Sequence, residues 1–407
     1  MSLLVKKFGG SSLADLSCLK AVTKVIAQAH RSGQQLVIVV SASAGHTDAL
    51  VQSARAISAL PSPREYDALL ASAEQASAAL LSLLLIEQSI PAVSLTGFQA
   101  GIRTNALHNK AHIESVDPKR IQSHLEAGQV VVVTGFQGEN LAGDITTLGR
   151  GGSDMSAVVL AGVLQAEACY IYTDVNGVYS ADPKVVPTAR RLTQISLTDM
   201  QQMAQLGARV MQQQALDYCY QHHIPLRIAS TFDPDEGTLV TRDAHNPSPW
   251  VGVACQSNQV QFTLTGLIDW DALVVTLRQM MRNAMIDIDL IIQSHQGDAH
   301  CSDLNFTVHH DDYEQTLVIA ERLCGDFNCR SVESQQALAK VSLIGKQLMT
   351  QPSVATDILS AASQLGVTIR WFTSSDTRMT WVVQQDKVKD MACLLHQSYL
   401  GTVSLTA

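Results

Sequence analysis

The chain has 407 residues, which is too many for one ordinary domain, so two or three domains are expected. Hydrophobic residues make up 46% of it and charged residues 16%, a composition typical of compact proteins and one that argues against extensive disorder. The net charge of −9 is spread along the chain without blocks of like charge, which argues against nucleic-acid and membrane-surface partners and favours small ligands.

Cysteine usage and the N-terminus indicate an intracellular setting. The eight cysteines are scattered, without a CxxC pair or a histidine at zinc-ligand spacing, so reduced thiols are expected. Lys6 and Lys7 stand where a signal peptide needs its apolar stretch, and no segment is expected to approach the ~20 apolar residues of a membrane span. We therefore expect a cytoplasmic protein.

The first half of the chain alternates between apolar, β-branched runs and helical stretches, which is the pattern of an α/β fold. Strands are predicted at residues 3–8, 36–41, 92–95, 130–135 and 168–173, and helices at residues 13–32, 63–85 and 157–164. The almost wholly apolar runs at 36–41 and 130–135 favour a mainly parallel sheet that is covered by helices on both faces. Ligands of such sheets bind beyond the carboxyl ends of the strands, so the site is predicted to lie there.

Residues 7–12, KFGGSS, join the first predicted strand to the first predicted helix. The glycines allow close approach of the backbone, amides at a helix N-terminus can hold phosphate oxygens, and Lys7 supplies a fixed positive charge. The pattern is not a Walker loop, because GxxxxGK[ST] is absent. An ordinary strand-turn-helix with a surface lysine explains it equally well, and both interpretations stay open.

Glu74 lies in the middle of a predicted helix among alanines and serines. A carboxylate that faced the core would be costly without a cationic partner. The residues alone favour a side chain that faces water, and the alternative is that Glu74 binds a charged ligand.

Residues 146–156, TTLGRGGSDMS, lead directly into the apolar helix predicted at 157–164. Three glycines, an arginine and a Ser-Asp pair that can cap the helix form a pattern typical of an anion site, in which Arg150 can bind a carboxylate through two hydrogen bonds. A capped helix after a flexible loop would explain Ser153 and Asp154 but not Arg150. The next motif, at residues 172–184, contains Asn176-Gly177, and by itself it predicts a β-hairpin.

The character of the sequence changes at residues 231–246, which are rich in turn formers, and a domain boundary is predicted there. Beyond it, a weak internal repeat relates 260–268 to 338–348, 286–293 to 367–374 and 304–323 to 379–398. Each copy reads strand, helix, strand, strand, helix. Two such copies predict a tandem ferredoxin-like module, a fold that hosts many functions.

Taken in order, the motifs resemble those of the aspartate kinases, which have the amino-acid kinase fold. The resemblance covers residues 3–240 and rests on KFGGSS, VVSASAG, SLTGFQAGIRT, TTLGRGGSD and YTDVNGVYSADPK, and the repeat is similar to the family's paired ACT domains. It implies an α/β protein with an amino-acid kinase (carbamate-kinase-like) αβα sandwich at residues 1–240. Tandem ferredoxin-like ACT domains would follow at residues 250–335 and 336–407.

The resemblance also implies an activity: transfer of the ATP γ-phosphoryl group to the β-carboxylate of L-aspartate, giving 4-phospho-L-aspartate for lysine, threonine and methionine synthesis. Such catalysis consists mainly of positioning and charge neutralisation. Arg150 would bind the α-carboxylate of aspartate and Glu74 its ammonium group. Mg²⁺ would be held mainly by the ATP phosphates and water, with no protein ligand assigned.

The resemblance assigns catalysis to Lys7, Arg150 and Asp154. It assigns aspartate binding to Ser41, Thr47, Glu74, Arg150, Ser153 and Asp154. It assigns nucleotide binding to Lys7, Gly9, Gly10, Ser12, Thr173, Asp174, Tyr179, Asp182, Lys184 and Arg209.

The second half of the chain departs from the family pattern. Where the first ACT unit of the family has Pro-Gly before its helix, this chain has residues 266–271, GLIDWD, whereas Gln293 matches a position that often contacts an amino-acid effector. We therefore expect weakened or altered feedback inhibition, because Trp270 is bulky. A homodimer or homotetramer is expected, because ACT units usually pair across a subunit interface. Two alternatives stay open: a kinase for another acid such as glutamate or acetylglutamate, and a catalytically inactive, amino-acid-sensing partner subunit.

Overall fold

The structure, a computed structural model, describes residues 2–208, 210–233, 235–244, 248–294, 302–348 and 353–401. The chain forms two compact units. The first comprises Met1–Tyr179, Arg190–Gln205 and Arg209–Pro247, and the second comprises Ser180–Ala189, Leu206–Ala208 and Ser248–Ala407.

The first unit is an α/β structure. Its strands are β1 (Leu3–Phe8), β2 (Gln35–Val40), β3 (Ala92–Leu95), β4 (Ile102–Thr104), β5 (Ile113–Val116), β6 (Val130–Thr134), β7 (Gln137–Glu139), β8 (Ile145–Thr147), β9 (Ala168–Thr173), β10 (Gln194–Ser196), β11 (Leu226–Ser230) and β12 (Thr238–Thr241). Its helices are α1 (Leu16–Arg31), α2 (His46–Ile57), α3 (Pro63–Glu87), α4 (Lys119–Glu126), α5 (Gly152–Val163), α6 (Leu197–Gln205) and α7 (Gln213–His222).

Eight of these strands form one sheet in the order β10-β12-β11-β9-β1-β2-β6-β3. The central strand β1 pairs in parallel with both β2 and β9, and β6 pairs in parallel with β2 and β3. The mainly parallel sheet expected from the apolar runs is therefore present. Because the carboxyl ends of β1, β2 and β6 lie side by side, the loops that follow these three strands meet at one edge of the sheet.

Residues of β1 alternate between the two faces of the sheet. Phe8 belongs to a hydrophobic cluster that includes Ile26 of α1 and Leu85 of α3. Lys7 points the opposite way, to Asp154 of α5. Helices thus cover both faces, and α5 presents its first turn to the end of β1.

Helix α3 corrects one expectation, since by length and composition it could cross a membrane. Half of its most apolar window is buried inside the protein, and Asp67 and Glu74 are among its buried residues. Its apolar character is therefore explained by packing in the first unit.

The hairpin predicted at Asn176-Gly177 is wrong. Strand β9 pairs in parallel with β1 and β11, and Tyr179 forms an isolated bridge with Arg191 instead of a strand beside β9. The Asn176 side chain donates from Nδ2 to Asp233 at 2.8 Å and accepts from the Tyr179 hydroxyl, so these hydrogen bonds order the loop that contains the turn.

A smaller mixed sheet, β5-β4-β7-β8, was not predicted, because three of its four strands have only three residues.

The second unit contains the repeat. Its strands are β13 (Trp250–Leu267), β14 (Asp289–Ser294), β15 (Ser302–His309), β16 (Ser331–Gly345), β17 (Ile369–Ser374) and β18 (Arg378–Gln384). Its helices are α8 (Trp270–Asn283), α9 (Tyr313–Asp326), α10 (Ser353–Gln364) and α11 (Val388–Tyr399). Each copy has the predicted order of strand, helix, strand, strand, helix.

The two copies share one six-stranded sheet in the order β14-β15-β13-β16-β18-β17, joined by the antiparallel pair β13 and β16. Helices α8 and α9 cover one core, which includes Phe262 and Phe306, and α10 and α11 cover another, which includes Trp381. Val253, at the start of β13, belongs to the core of the second copy. The long strand β13 therefore contributes to both cores.

Candidate active site

A cleft of about 310 Å³ lies at the predicted edge of the large sheet. Its walls come from β1, from the loop after β2, from α2 and α3, from the loops that follow β6 and β8, and from the first turn of α5. The lining residues are Lys7, Ser41, Ala42, Thr47, Glu74, Phe136, Gly149, Arg150, Gly151, Gly152, Ser153 and Asp154. All of them belong to the first unit, and seven of them were predicted site residues.

Lys7 and Asp154 form an ion pair at the floor of this cleft. The Lys7 Nζ atom lies 2.7 Å from an Asp154 carboxylate oxygen, and both side chains are largely buried. Asp154 lies in the first turn of α5, where the helix dipole stabilises a negative charge. The pair holds the Lys7 ammonium group in place beside the first turn of α5.

The loop after β1 approaches its neighbours closely. A Cβ atom on Gly10 would lie 2.7 Å from the Ala42 carbonyl oxygen, which explains why glycine is required there. The Gly9 amide donates to the Tyr172 carbonyl at 3.2 Å, and the Ser12 hydroxyl is buried against that of Thr231 at 2.7 Å. These contacts fix the loop and occupy two groups that were predicted to bind nucleotide.

Arg150 extends from a short glycine-rich turn. Gly149 and Gly151 on either side of it have φ angles of +75° and +72°, a conformation that favours glycine. The Arg150 side chain is exposed, and among the described residues it has no hydrogen-bond or ion-pair partner. A guanidinium group in this position can receive a carboxylate.

Glu74 is buried, so the interpretation that it faces water is wrong. Its Oε1 atom accepts a hydrogen bond from the Ala42 amide at 3.1 Å, whereas its Oε2 atom is buried without a partner among the described residues. Burial raises the pKa of the Glu74 carboxyl to about 7. A buried oxygen without a partner at the wall of a cleft is suited to bind a cationic group.

The residues predicted to bind nucleotide are spread more widely. The Thr173 hydroxyl closes a turn onto the backbone of Val175, and Asp174 is exposed. Tyr179 lies further along the same loop, whereas Asp182 and Lys184 are exposed residues of Ser180–Ala189, a segment of the second unit. Arg209 lies outside the described residues.

Phe136 is a wall residue that the sequence did not reveal. Its φ angle of +70° is unusual for a bulky residue, and its amide donates to the Ser156 hydroxyl of α5 at 3.1 Å. Its place two residues after the end of the apolar strand β6 was the available signal. A larger cavity of about 510 Å³ lies between α8 and β14 in the second unit, and its described lining contains no lysine and no glycine-rich turn.

Comparison with known proteins relates this chain to the amino acid kinases. Residues 2–230 match the model of the amino acid kinase family. The chain is 36% identical over 402 residues to the aspartate kinase of Pseudomonas putida, which covers 98% of each protein.

Solved structures agree with this. E. coli aspartokinase III in complex with aspartate and ADP superposes with a TM-score of 0.83 at 25% identity, covering 98% of this chain and 100% of the other. The same enzyme in complex with lysine and aspartate gives a TM-score of 0.75, covering 98% and 99%. The chain therefore belongs to the amino acid kinase family, and within that family to the aspartate kinases.

Proposed function

We propose that this protein transfers the γ-phosphoryl group of ATP to the β-carboxylate of L-aspartate, giving 4-phospho-L-aspartate and ADP. The observation that carries the proposal is one cleft with three differently charged elements: the Lys7–Asp154 pair, the buried Glu74, and Arg150, which has no partner among the described residues. Two cationic groups suit a phosphate and a carboxylate, and the carboxylate suits an ammonium group. Aspartate and ATP together supply these three groups: the phosphate, the carboxylate and the ammonium group.

In this assignment, Arg150 binds the α-carboxylate and Glu74 binds the ammonium group through its Oε2 atom. Ser41, Thr47 and Ser153 supply hydroxyl groups to the rest of the amino acid. Asp154 orients Lys7 before ATP binds and lies beside the ammonium group afterwards.

The transfer itself needs little acid–base chemistry. An oxygen of the β-carboxylate attacks the γ-phosphorus, the bond from that phosphorus to the bridging oxygen breaks, and ADP leaves with the electron pair. The attacking carboxylate is ionised near pH 7, so no proton has to be removed. Lys7 neutralises charge on the transferring phosphoryl group, which is the main contribution a kinase makes.

We propose that the nucleotide is bound by Lys7 with the loop at Gly9, Gly10 and Ser12. Thr173, Asp174, Tyr179, Asp182, Lys184 and Arg209 are assigned to the same ligand. Mg²⁺, when bound with ATP, would neutralise charge on its phosphates. In the described part of the cleft Asp154 is already paired with Lys7, which favours a metal held mainly by phosphate oxygens and water.

Further assignments concern the whole protein. We propose a cytoplasmic enzyme that opens the synthesis of lysine, threonine and methionine and that assembles as a homodimer or homotetramer. We propose that the catalytic domain comprises residues 1–240 and the ACT-like units residues 250–335 and 336–407. Gln293, which is exposed on β14, is assigned to an effector site.

Among related acids, Glu74 favours aspartate over acetylglutamate. Acetylation removes the positive charge of the amino group, and the buried Oε2 atom would then remain without a cationic partner. Glutamate keeps that charge and differs by one methylene group, so it is the closer competitor. The alternative of an inactive sensing subunit has no such support, because the charged groups of the cleft are all present.

A hydroxamate assay, in which hydroxylamine traps the acyl phosphate, tests the proposal with aspartate, glutamate and acetylglutamate. We expect turnover with aspartate alone, its loss in Lys7→Ala, and in Arg150→Ala a rise of at least tenfold in the KM for aspartate. An Arg55→Ala variant, which removes an exposed arginine from the last turn of α2, is the matched control. Turnover with another acid in preference to aspartate would replace the substrate, and no turnover with any acid would favour the sensing subunit.

A further inference from the structure

Asp67 is a fully buried carboxylate outside the cleft. It lies in α3, seven residues before Glu74, so the two side chains project from nearly the same face of the helix. Burial of a carboxylate is costly unless its oxygens are hydrogen-bonded. Asp67 therefore marks a place where the fold maintains a specific polar geometry.

In the described part of the chain, the hydrogen-bond partners of the Asp67 side chain lie in two segments. Its Oδ1 atom accepts from the Thr147 hydroxyl at 2.5 Å, and its Oδ2 atom lies 2.7 Å from the His108 Nδ1 atom. The Asn109 amide donates to both oxygens at 3.1 Å. One carboxylate thus joins helix α3 to the end of β8 and to the loop at residues 105–111.

These two segments enclose the turn that carries Arg150. Thr147 lies three residues before Arg150, and its carbonyl oxygen accepts from the Ala111 amide at 2.9 Å. A Cβ atom on Gly149 would lie 3.1 Å from the Asn109 carbonyl oxygen, so the loop packs directly against the turn. The backbone is therefore fixed on the N-terminal side of Arg150, whereas the arginine side chain itself is exposed.

We propose that Asp67, together with His108, is a positioning residue for Arg150 and thereby for the α-carboxylate of the amino-acid substrate. The inference rests on the proposed function in one respect, the assignment of Arg150 to that carboxylate. Asp67 does not touch the substrate. It holds the Gly149–Arg150 turn at the distance from Glu74 that lets one amino acid span both groups.

The first test is Asp67→Asn in the full-length protein, with separate measurement of kcat and of the KM values for aspartate and ATP. Asparagine keeps the shape of the side chain but has only one oxygen acceptor. It therefore cannot accept hydrogen bonds from the Thr147 hydroxyl, the Asn109 amide and the His108 imidazole at both of the positions that the Asp67 oxygens occupy. We expect the KM for aspartate to rise about tenfold, while the KM for ATP changes less than about twofold. Asp144→Asn is the matched control, because Asp144 is a neighbouring carboxylate near His108 that pairs with Arg64 instead.

Two pairs of substitutions at the partners sharpen the test. Thr147→Ser and His108→Asn keep a hydrogen-bond donor for Asp67, and we expect aspartate KM values close to that of the unmodified protein. Thr147→Val and His108→Leu remove the donor, and we expect the same selective rise as in Asp67→Asn. In Asp67→Asn/His108→Leu, the effects should not add, because both residues act through one contact.

The outcomes separate positioning from general stability. A lower melting temperature with both KM values unchanged, or an equal rise in both, would overturn the inference. Calorimetric binding of aspartate gives a readout that does not depend on turnover. A wild-type protein that binds aspartate without converting it would overturn the proposed function and still allow the comparison with Asp67→Asn. A protein that neither binds nor converts aspartate would overturn both.

Discussion

Glu74 shows how one buried group links stability to pH. Its carboxyl pKa is raised by burial from 4.5 to about 7, so the folded protein retains a proton that the unfolded chain has already lost between these pH values. Stability contributed by this group is therefore unaffected below pH 4.5 and falls as the pH rises to about 7. Above pH 7, the ionised Glu74 carboxyl lowers the free energy of unfolding by about 3 kcal/mol relative to a carboxyl with the ordinary pKa.

The Glu74→Gln variant removes that penalty. We expect it to melt at the same temperature as the unmodified protein near pH 4.5 and at a higher temperature near pH 8, measured by calorimetric scans across the range. Aspartate binding should weaken at the same time, because a neutral amide attracts an ammonium group less strongly. Equal melting temperatures at pH 8 would show that the Glu74 carboxylate is stabilised by a partner.

We expect the binding of aspartate to strengthen as the pH rises, whereas the stability contributed by Glu74 falls. Only the ionised Glu74 attracts the ammonium group, so the KM for aspartate should rise as the pH falls through about 7. We expect Glu74→Gln to have a higher KM and to lose this dependence, measured from pH 6 to pH 8.5 with ATP saturating. A profile in Glu74→Gln that still rises below pH 7 would assign the titration to another group.

The burial of Glu74 could not be predicted from its neighbours. Alanine and serine on either side are small enough for a core or for a surface, and the apolar pattern of α3 is weak because the helix is apolar nearly all round. The buried carboxylate accepts a hydrogen bond from the Ala42 amide, which belongs to a loop 32 residues away in the sequence, so no local pattern reveals the contact. Arg150 was accessible to prediction because a capped helix does not explain an arginine among these glycines, whereas the pattern at Lys7 fits an ordinary strand-turn-helix equally well and only the family resemblance assigned it.

At the scale of elements, the glycines around Arg150 give a sharp prediction. Gly151 has a φ angle of +72°, and a Cβ atom there would lie 1.7 Å from the Gln212 Cγ atom. Gly151→Ala must therefore displace Gln212 or the turn itself, and we expect the KM for aspartate to rise at least tenfold. Steady-state kinetics with varied aspartate measures this directly.

Gly33→Ala is the control for backbone strain alone. Gly33 has a similar φ angle of +78° and no atom within 4 Å of an added Cβ. It should cost roughly 1–2 kcal/mol of stability without a change in either KM. Equal kinetic effects in the two variants would show that strain, and not the contact with Gln212, disturbs the site.

Strands and helices were predictable where their apolar runs were long. The predicted strands at 3–8, 92–95 and 168–173 match β1, β3 and β9. The strand predicted at 36–41 is displaced by one residue from β2, and the one predicted at 130–135 is one residue longer than β6. Helix α5 begins at Gly152, five residues before its predicted start, because Gly152-Ser153-Asp154 adopts helical geometry that a Gly-Ser-Asp sequence does not suggest. The false hairpin at Asn176-Gly177 has the same origin, since a local turn signal was overruled by the parallel pairing of β9 with its neighbours.

At the scale of the whole molecule, the repeat predicted the order of elements but not their assembly. Two βαββα copies can pack in several ways, and only the structure gives the shared sheet with β13 and β16 at its centre. The second unit also includes Ser180–Ala189, which follows the large sheet in sequence. His396 of α11 is fully buried, and its Nε2 atom lies 2.9 Å from the Ser180 hydroxyl, a long-range contact that no local pattern indicates.

The start of α8 has a consequence for regulation of the whole enzyme. The Asp269 carboxylate accepts from the Ala272 amide at 3.1 Å, and the Asp303 carboxylate accepts from the Gly266 amide at 3.0 Å. The Ala272 amide lies in the first turn of α8, and the Gly266 amide lies near the end of β13, in the segment where the resemblance to ACT units places an effector carboxylate. Two resident negative charges, with Trp270 beside them, disfavour a third.

We therefore expect lysine and threonine, each at low millimolar concentration, to change aspartate turnover by less than about twofold, since the amides that would bind their carboxylates are already occupied. The hydroxamate assay with each amino acid alone measures this, and leucine at the same concentration controls for non-specific effects. Asp269→Asn keeps the helix cap and removes one charge, so it should increase the sensitivity to inhibition if repulsion is the cause. Half-inhibition of the unmodified enzyme by lysine or threonine at low millimolar concentration or below would contradict the expectation. It would mean that the effector carboxylate competes successfully with Asp269 and Asp303 for the Ala272 and Gly266 amides.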